Sequence, residues 1–556
     1  MPTADLIIEN ARVITMDPAR PFAEAIALKD GRILAVGSRA DVTAAAPAAL
    51  RRIDAGGASV LPGFVESHIH LFTGGAQLSS LSLAGLNGFD AIASAVRQRA
   101  AREPADRLLV AEQAAYFMFG ENEPITRHVL DAILPDRPLA FFASDHHTMW
   151  ANTPALELAG ILHGRELPPG NEIVMGADGL AAGELREFEG FAPVASLTPT
   201  GGREMLGLQG REPDVALTAQ QRAIDKAILK DALAYCASVG ITSFHNMDGN
   251  FYQLELLGEL EAAGELTARG RVPFRFLPGM ALSDLEKAEE MRRRWRSDRL
   301  KADFVKIFMD GVVESTTAHM FEDYDTAPGV RGSSYFTQDE FDAIAREIDR
   351  RGFQITVHAI GDAAVNRTLN GYEAAQRVNG RRDSRHRIEH IEILAPADLP
   401  RFAGLGVIAS MQPTHAPGGY YPPEPILSMV GRRRMALAYP WQSIRDTGAR
   451  VVFASDWPIA LLDPLIGIKT AMTRMPAFDG APDERQNLAD SIAGFTIDGA
   501  YAEFTEDRKG RLAPGYLADV VILTGDIEAA RPEDIDTLKV AATICGGQVT
   551  YERAAA

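Results

Sequence analysis

The run GFVESHIH, residues 63–70, opens apolar and closes on two histidines at i, i+2 spacing. A β-strand turns residues i and i+2 to one face, so a strand here sets His68 and His70 side by side at its C-terminal end. Seven more runs share its length and character: GITSFHN (240–246), PFRFLPGM (273–280), DFVKIFMD (303–310), FQITVHA (353–359), RIEHIEI (387–393), GVIASMQ (406–412) and RVVFASD (450–456). Amphipathic stretches such as DEFDAIAREIDRR (339–351) stand between them. Strands separated by helices predict βαβ units and a parallel sheet. Eight is the strand number of a TIM-like (β/α)8 barrel, although periodicity alone does not separate a barrel from an open doubly wound sheet.

Both ends of the chain read differently. ADLIIENARVITM (4–16), AEAIALKDGRILAVG (23–37) and RRIDAGGASVLPG (51–63) are β-rich and punctuated by Asn10, Asp30, Gly31, Gly56 and Gly57. GRLAPGYLADVVILTGD (510–526) and VAATICGGQVTYER (540–553) match them. The expectation is a small β-sandwich from residues 1–62 and 505–556, flanking a barrel over 63–504. The gap after the first strand is too long for a structureless loop, and it holds strand-like runs of its own. Residues 71–235 are therefore expected to form an inserted subdomain.

Composition narrows the classes. No apolar run approaches the roughly 18 residues of a membrane span, and the first ten residues lack the pattern of a secretory signal. With only two cysteines, Cys236 and Cys545, a disulfide framework and a cysteine-rich zinc module are both excluded. The cytoplasm is the expected compartment. A formal charge of −19 predicts repulsion from nucleic acid and serves solubility. The expected partner is a small molecule, and a homodimer is the base-rate expectation for assembly.

Five residues stand at the ends of candidate strands: His68, His70, His358 in QITVHA, His390 in RIEH and Asp456 in FASD. The C-terminal face of a barrel gathers such ends, and imidazoles with a carboxylate are zinc ligands. A lone strand-end histidine is usually an ordinary hydrogen-bonded side chain. Five such residues in a chain with only 12 histidines point instead to a metal site. Lys306 sits inside the apolar strand DFVKIFMD, where burial disfavours its charge. A neutral amine there can add carbon dioxide, and the resulting carboxylated lysine could bridge two cations. The competing reading pairs Lys306 with Asp310 or Glu314.

Together, LPGFVESHIHL, KIFMDG, VHAIGD, RIEH and FASDWP resemble the amidohydrolase superfamily, and within it the YtcJ-like branch, relatives of N-substituted formamide deformylase. DHHTMWANTPALELAGI (145–161), GITSF, SMQPTH (410–415) and GRLAPGYLADVVIL (510–523) agree, so the resemblance spans nearly the whole chain. It implies a (β/α)8 barrel and a metal-dependent hydrolase acting on an amide-type C–N bond. His68, His70 and Asp456 would hold one Zn2+, and His358 and His390 a second, with carboxylated Lys306 between them. One or two ions are compatible with the pattern, and two are expected.

Zinc brings the pKa of bound water to about 7. Asp456 is then the expected catalytic proton shuttle, from the attacking water to the leaving amine. Candidates for substrate contact are His146, His147, Trp150, His319 and Trp457; His415 has least to mark it out. A mononuclear deaminase of a ring amidine is the alternative enzyme, kept open by Glu392 beside His390. A non-catalytic regulatory relative would be expected to have lost ligands, and none of the six is missing.

Overall fold

The computed structural model describes residues 3–104, 107–120, 123–143, 147–168 and 171–554. Two compact units emerge: Met1–Leu71 with Gly207–Glu212 and Leu233–Ala556, and Phe72–Leu206 with Pro213–Ala232.

The first unit contains eight main parallel strands: β1 (Phe64–Ile69), β2 (Ile241–Asn246), β3 (Arg269–Arg271, resuming at Phe274–Arg275), β4 (Phe304–Phe308), β5 (Gln354–Ala359), β6 (Arg387–His390), β7 (Ile408–Met411) and β8 (Val451–Phe453). Each pairs in parallel with the next in that order. Beyond β8 the chain returns to β1. The Asp456 N–H donates to the His68 carbonyl, and the His70 N–H to the Trp457 carbonyl, both at 2.9 Å. β1, β2 and β5 are buried along their whole length, as parallel strands covered on both faces must be.

The third strand departs from expectation. Pairing begins at Arg269, breaks around Pro273, which has no N–H to give, and ends at Arg275 instead of running to residue 280. Arg269 and Arg271 look like loop residues in the sequence. Both are buried because each meets a carboxylate, Asp519 and Asp303 respectively.

Helix Gln338–Arg350 shows how the intervening segments form. Thr337 and Glu340 make a reciprocal capping box at its start, and Phe341, Ile344, Ala345 and Ile348 make its buried stripe. The neighbouring helix Asp362–Asn379 accommodates Phe341 at Gly371, where a Cβ would collide with the ring.

Two sheets draw on the terminal segments. One orders Arg32–Gly37, Ala25–Lys29, Ala4–Glu9 and Ala49–Asp54; the other orders Gln548–Glu552, Val540–Cys545, Val520–Leu523, Ser59–Pro62, Arg12–Ile14 and Phe22–Ala23. Their facing residues share one hydrophobic cluster, including Leu6, Ile8, Ile26 and Leu28 from the first and Val13, Val60, Val520 and Ile522 from the second. The hairpin between Ala25–Lys29 and Arg32–Gly37 turns on Asp30 and Gly31, both at positive φ (51° and 74°), the requirement of a two-residue I′ turn.

The second unit has its own six-stranded sheet, ordered Glu172–Met175, Ala181–Arg186, Thr148–Ala151, Leu139–Ala143, Leu109–Ala114 and Leu81–Ser82. It carries two hydrophobic clusters of its own. Among the described residues no helix is long and apolar enough to cross a membrane.

Candidate metal centre

The end of β1 is fixed from below and from the side. Glu66 is fully buried and accepts from the Ser455 N–H at 3.0 Å and the His68 N–H at 3.1 Å. Burial raises its carboxyl to about 8. The Asp456 and Trp457 pairings with β1 then bring Asp456 beside the two histidines. Its Oδ1 lies 3.3 Å from His68 Nε2 and 3.4 Å from His70 Nε2.

Both imidazoles are oriented from behind. His68 Nδ1 meets Glu389 Oε2 at 2.7 Å, and His70 Nδ1 meets Asp248 Oδ1 at 3.2 Å. A carboxylate at Nδ1 turns each Nε2 toward Asp456, the arrangement that metal-binding histidines use. Glu389 is held in turn by Arg387, whose Nε donates at 2.9 Å, with both side chains fully buried. Asp248 accepts from Gln253 at 3.0 Å.

Three other expected residues converge here. His390 lies 5.0 Å from His68 and 4.5 Å from His358, between ring centroids. His358 Nε2 meets the Gly311 carbonyl at 3.2 Å. Lys306 is completely buried, and its Nζ has no hydrogen-bond partner. The pairing with Asp310 does not form, because three backbone N–H groups occupy that carboxylate: His319, Ile360 and Gly361.

Burial lowers Lys306 to about 7, against the pull of Glu389 and the nearby Asp456. Burial also takes His358 down to about 3, helped by the charge of Lys306, and holds His68 and His390 well below the usual range. His70 differs. Burial opposes its charge, but the hydrogen bonds and charges of Asp248 and Asp456 carry it up to about 9. Asp456 is buried too, yet the surrounding imidazoles keep it well below the ordinary carboxylate value.

Backbone geometry marks the same place. His390 (φ 74°), Ile391 (54°) and Asp456 (61°) all adopt left-handed conformations that non-glycine residues rarely take, and such strain concentrates at functional sites.

The donor set fits a divalent cation. The ligating atoms of His68, His70 and Asp456 lie within 4.8 Å of one another, and so do those of His390, His415 and Asp456. Lys306 Nζ and His415 Nε2 are buried without hydrogen-bond partners, and buried Asp456 Oδ1 meets the Nε2 atoms of His68 and His70. Imidazole nitrogens and a carboxylate, without thiolate, suit zinc and its first-row neighbours.

The expected substrate-contact residues scatter. His146 lies outside the described residues. His147 belongs to the second unit, where Nδ1 meets Glu187 at 3.1 Å. Trp150, at 2 % exposure, belongs to that unit's hydrophobic cluster with Leu109, Phe141 and Leu130. His319 gives its main-chain N–H to Asp310, whose Oδ1 is 3.9 Å from His358 Nε2. Trp457 follows Asp456 directly and stacks edge-on with Tyr235 at 5.5 Å. Sequence reasoning missed Glu66, Asp248, Arg387 and Glu389. Only Glu66 had a local signal, its i−2 position on the His68 face of β1.

A match to the amidohydrolase family covers residues 51–551. The chain is similar to the Bacillus subtilis (strain 168) protein YtcJ, at 28 % identity over 97 % of this chain and 98 % of that one. It is 26 % identical to the N-substituted formamide deformylase of Arthrobacter pascens, over 99 % and 98 % of the two chains. Its fold resembles a solved metal-dependent hydrolase of Pyrococcus horikoshii, with TM-score 0.72 and 21 % identity over 95 % of this chain and 98 % of that one.

Proposed function

Because the chain belongs to the amidohydrolase family, we propose that it is a metal-dependent hydrolase of a small-molecule C–N bond: an amide, an N-substituted formamide or a cyclic amide. The observation that carries this reading is the meeting of His68, His70 and Asp456 beside the buried, unpartnered amine of Lys306. In it the eight strands form a closed (β/α)8 barrel over 63–504, with a β-sandwich from 1–62 and 505–556 and a subdomain inserted at 71–235. A homodimer in the cytoplasm, binding neither nucleic acid nor membrane, completes it.

His68, His70 and Asp456 would hold one Zn2+, and His358 and His390 a second, with Lys306 between them as its carbamate. Forming that group joins the neutral amine to carbon dioxide and releases one proton. A cation bound there supplies Lewis acidity toward the substrate carbonyl and a more acidic water. The chain does the rest. Glu389 and Asp248 fix which nitrogen each β1 histidine presents. Asp456 stays ionised, so it can take the proton released as water attacks the carbonyl carbon and deliver it to the departing amine. An amine is a poor leaving group without that proton, which is why the site suits C–N bonds.

The test is chelation followed by readdition of zinc, with elemental analysis and a screen of N-formyl, N-acyl and cyclic amides. Activity should vanish and return with the metal. Fully active protein free of transition metal would end the proposal. Release of ammonia from ring amidines alone would favour the deaminase reading.

A further inference from the structure

His415 has no part in the ligand set above, yet it faces the same space. It ends the 3-10 turn Pro413–His415 that follows β7. Its main-chain N–H donates to the Gln412 carbonyl at 3.0 Å. A neutral imidazole has one N–H and one nitrogen with a lone pair. Nε2 of His415 is buried and has no hydrogen-bond partner.

The His415 ring runs nearly parallel to that of His390, with centroids 6.4 Å apart and planes at 14°. Two imidazoles and one carboxylate, each offering one ligand atom and all three within 4.8 Å, repeat the composition of the His68–His70–Asp456 group. Asp456 belongs to both groups. His358 belongs to neither, and its Nε2 is engaged with the Gly311 carbonyl. Because the two groups meet on Asp456, the unpartnered Nε2 of His415 stands with a second imidazole and a carboxylate in the composition of a zinc site.

We propose that His415 is a metal ligand, binding through Nε2 on the His390 side of the centre, with Asp456 shared between that side and the His68–His70 pair. This rests on the metal-dependent reading above and adds a residue to it.

Zinc binding to the full-length apoprotein, measured by competition with a chromophoric chelator, tests the assignment. Wild type is compared with His415→Ala and His415→Gln, and the apoprotein melting temperatures report folding. Loss of an oriented partner behind a ligand already costs 10–100-fold in affinity, so loss of the ligand itself should weaken one equivalent by about 100-fold or more, or abolish it. Unchanged stoichiometry with affinity within about threefold, even alongside lost hydrolysis, would overturn the assignment while leaving the metal-dependent reading intact. A wild type that binds no zinc would overturn both. Should both variants fail to fold, zinc-loaded wild-type crystals decide. An anomalous peak about 2.0–2.1 Å from His415 Nε2 is expected, and a loaded site with His415 turned away refutes it.

Discussion

Glu389→Gln is the most informative single change near the centre. Glu389 is fully buried and serves two donors: Oε2 takes the His68 Nδ1 proton at 2.7 Å and an Arg387 Nη2 proton at 3.1 Å, while Oε1 takes the Arg387 Nε proton at 2.9 Å. Glutamine has one oxygen for these two positions. With that oxygen toward His68, its amide hydrogens point at the Arg387 Nε–H. With the amide reversed, they point at His68 Nδ1, and the imidazole must move its proton to Nε2, the nitrogen meant for metal. The first arrangement leaves a buried guanidinium without its counter-charge, a loss of about 3–5 kcal/mol for a broken buried pair. The second removes a ligand's lone pair. Metal affinity should fall about 10–100-fold, as for other lost partners of ligating histidines. Apoprotein melting should drop by several degrees in the same preparation. Chelator competition and differential scanning calorimetry read both quantities. A variant that melts like wild type and binds zinc equally well would refute the claim that Glu389 fixes the His68 tautomer.

Asp456→Asn keeps the side-chain shape but cannot take the proton, so kcat on an amide should fall by about 100-fold or more, with a smaller defect on an activated ester of the same acid; equal rates on the amide would contradict the shuttle. Apoprotein reloaded with zinc in carbon-dioxide-free buffer should be weakly active and recover with bicarbonate, and Lys306→Ala should not respond; bicarbonate-independent activity in wild type would argue against a carbamate. Deleting residues 510–556 removes Val520–Leu523, the partner of Ser59–Pro62, together with Val540–Cys545 beyond it, so the product should be insoluble or melt far lower. Burial holds His68, His245, His358, His386 and His390 below their ordinary value, so at these positions the unfolded chain binds more protons and their contribution to apoprotein stability should decline as pH falls through about 6.5. His70, raised to about 9, has the opposite sign, with its contribution complete below about 6.5 and lost toward 9. NMR titration of the apoprotein imidazoles reads each sign directly, and protonation of the first five near 6.5 would show that they are not buried neutral.

The sequence displayed the residues whose placement depends on local rules. His68 and His70 share a face because a strand alternates sides, and His358, His390 and Asp456 lie at strand ends because each apolar run stops there. Lys306 stood out as a charge inside an apolar run. What escaped notice depends on partners distant in the chain. Glu389 meets His68 across 321 positions and Asp248 meets His70 across 178, so no periodicity connects them. His415 lies on a turn after β7, outside the strand-end rule that found the others. Trp150 reads equally as core or as ligand wall until its neighbours are known. The start of β3 was hidden for the opposite reason: Arg269 and Arg271 are polar in sequence, and only Asp519 and Asp303 make them compatible with burial.

That last point extends into the interior of the strand array. A closed barrel of the kind proposed is ordinarily filled by layers of branched apolar side chains. Here Arg387, fully buried on β6, donates to Glu389, the Ser67 carbonyl, Ser410 Oγ and His245 Nδ1. His245 Nε2 faces Glu503 at 3.5 Å, and Glu503 pairs with Lys509, which also bonds Ser243. Well-packed hydrophobic residues would fill such a space at equal or greater stability, so these charges are not there for the fold's free energy. Their geometric effect is specific. The contacts from Lys509 through Glu503, His245 and Arg387 lead to Glu389, and Glu389 holds the Nδ1 proton of His68. That carboxylate, fixed by Arg387, confines the imidazole to the tautomer and orientation that turn Nε2 toward Asp456. Apolar layers could support β1 equally well, but they could not choose between the two nitrogens of His68.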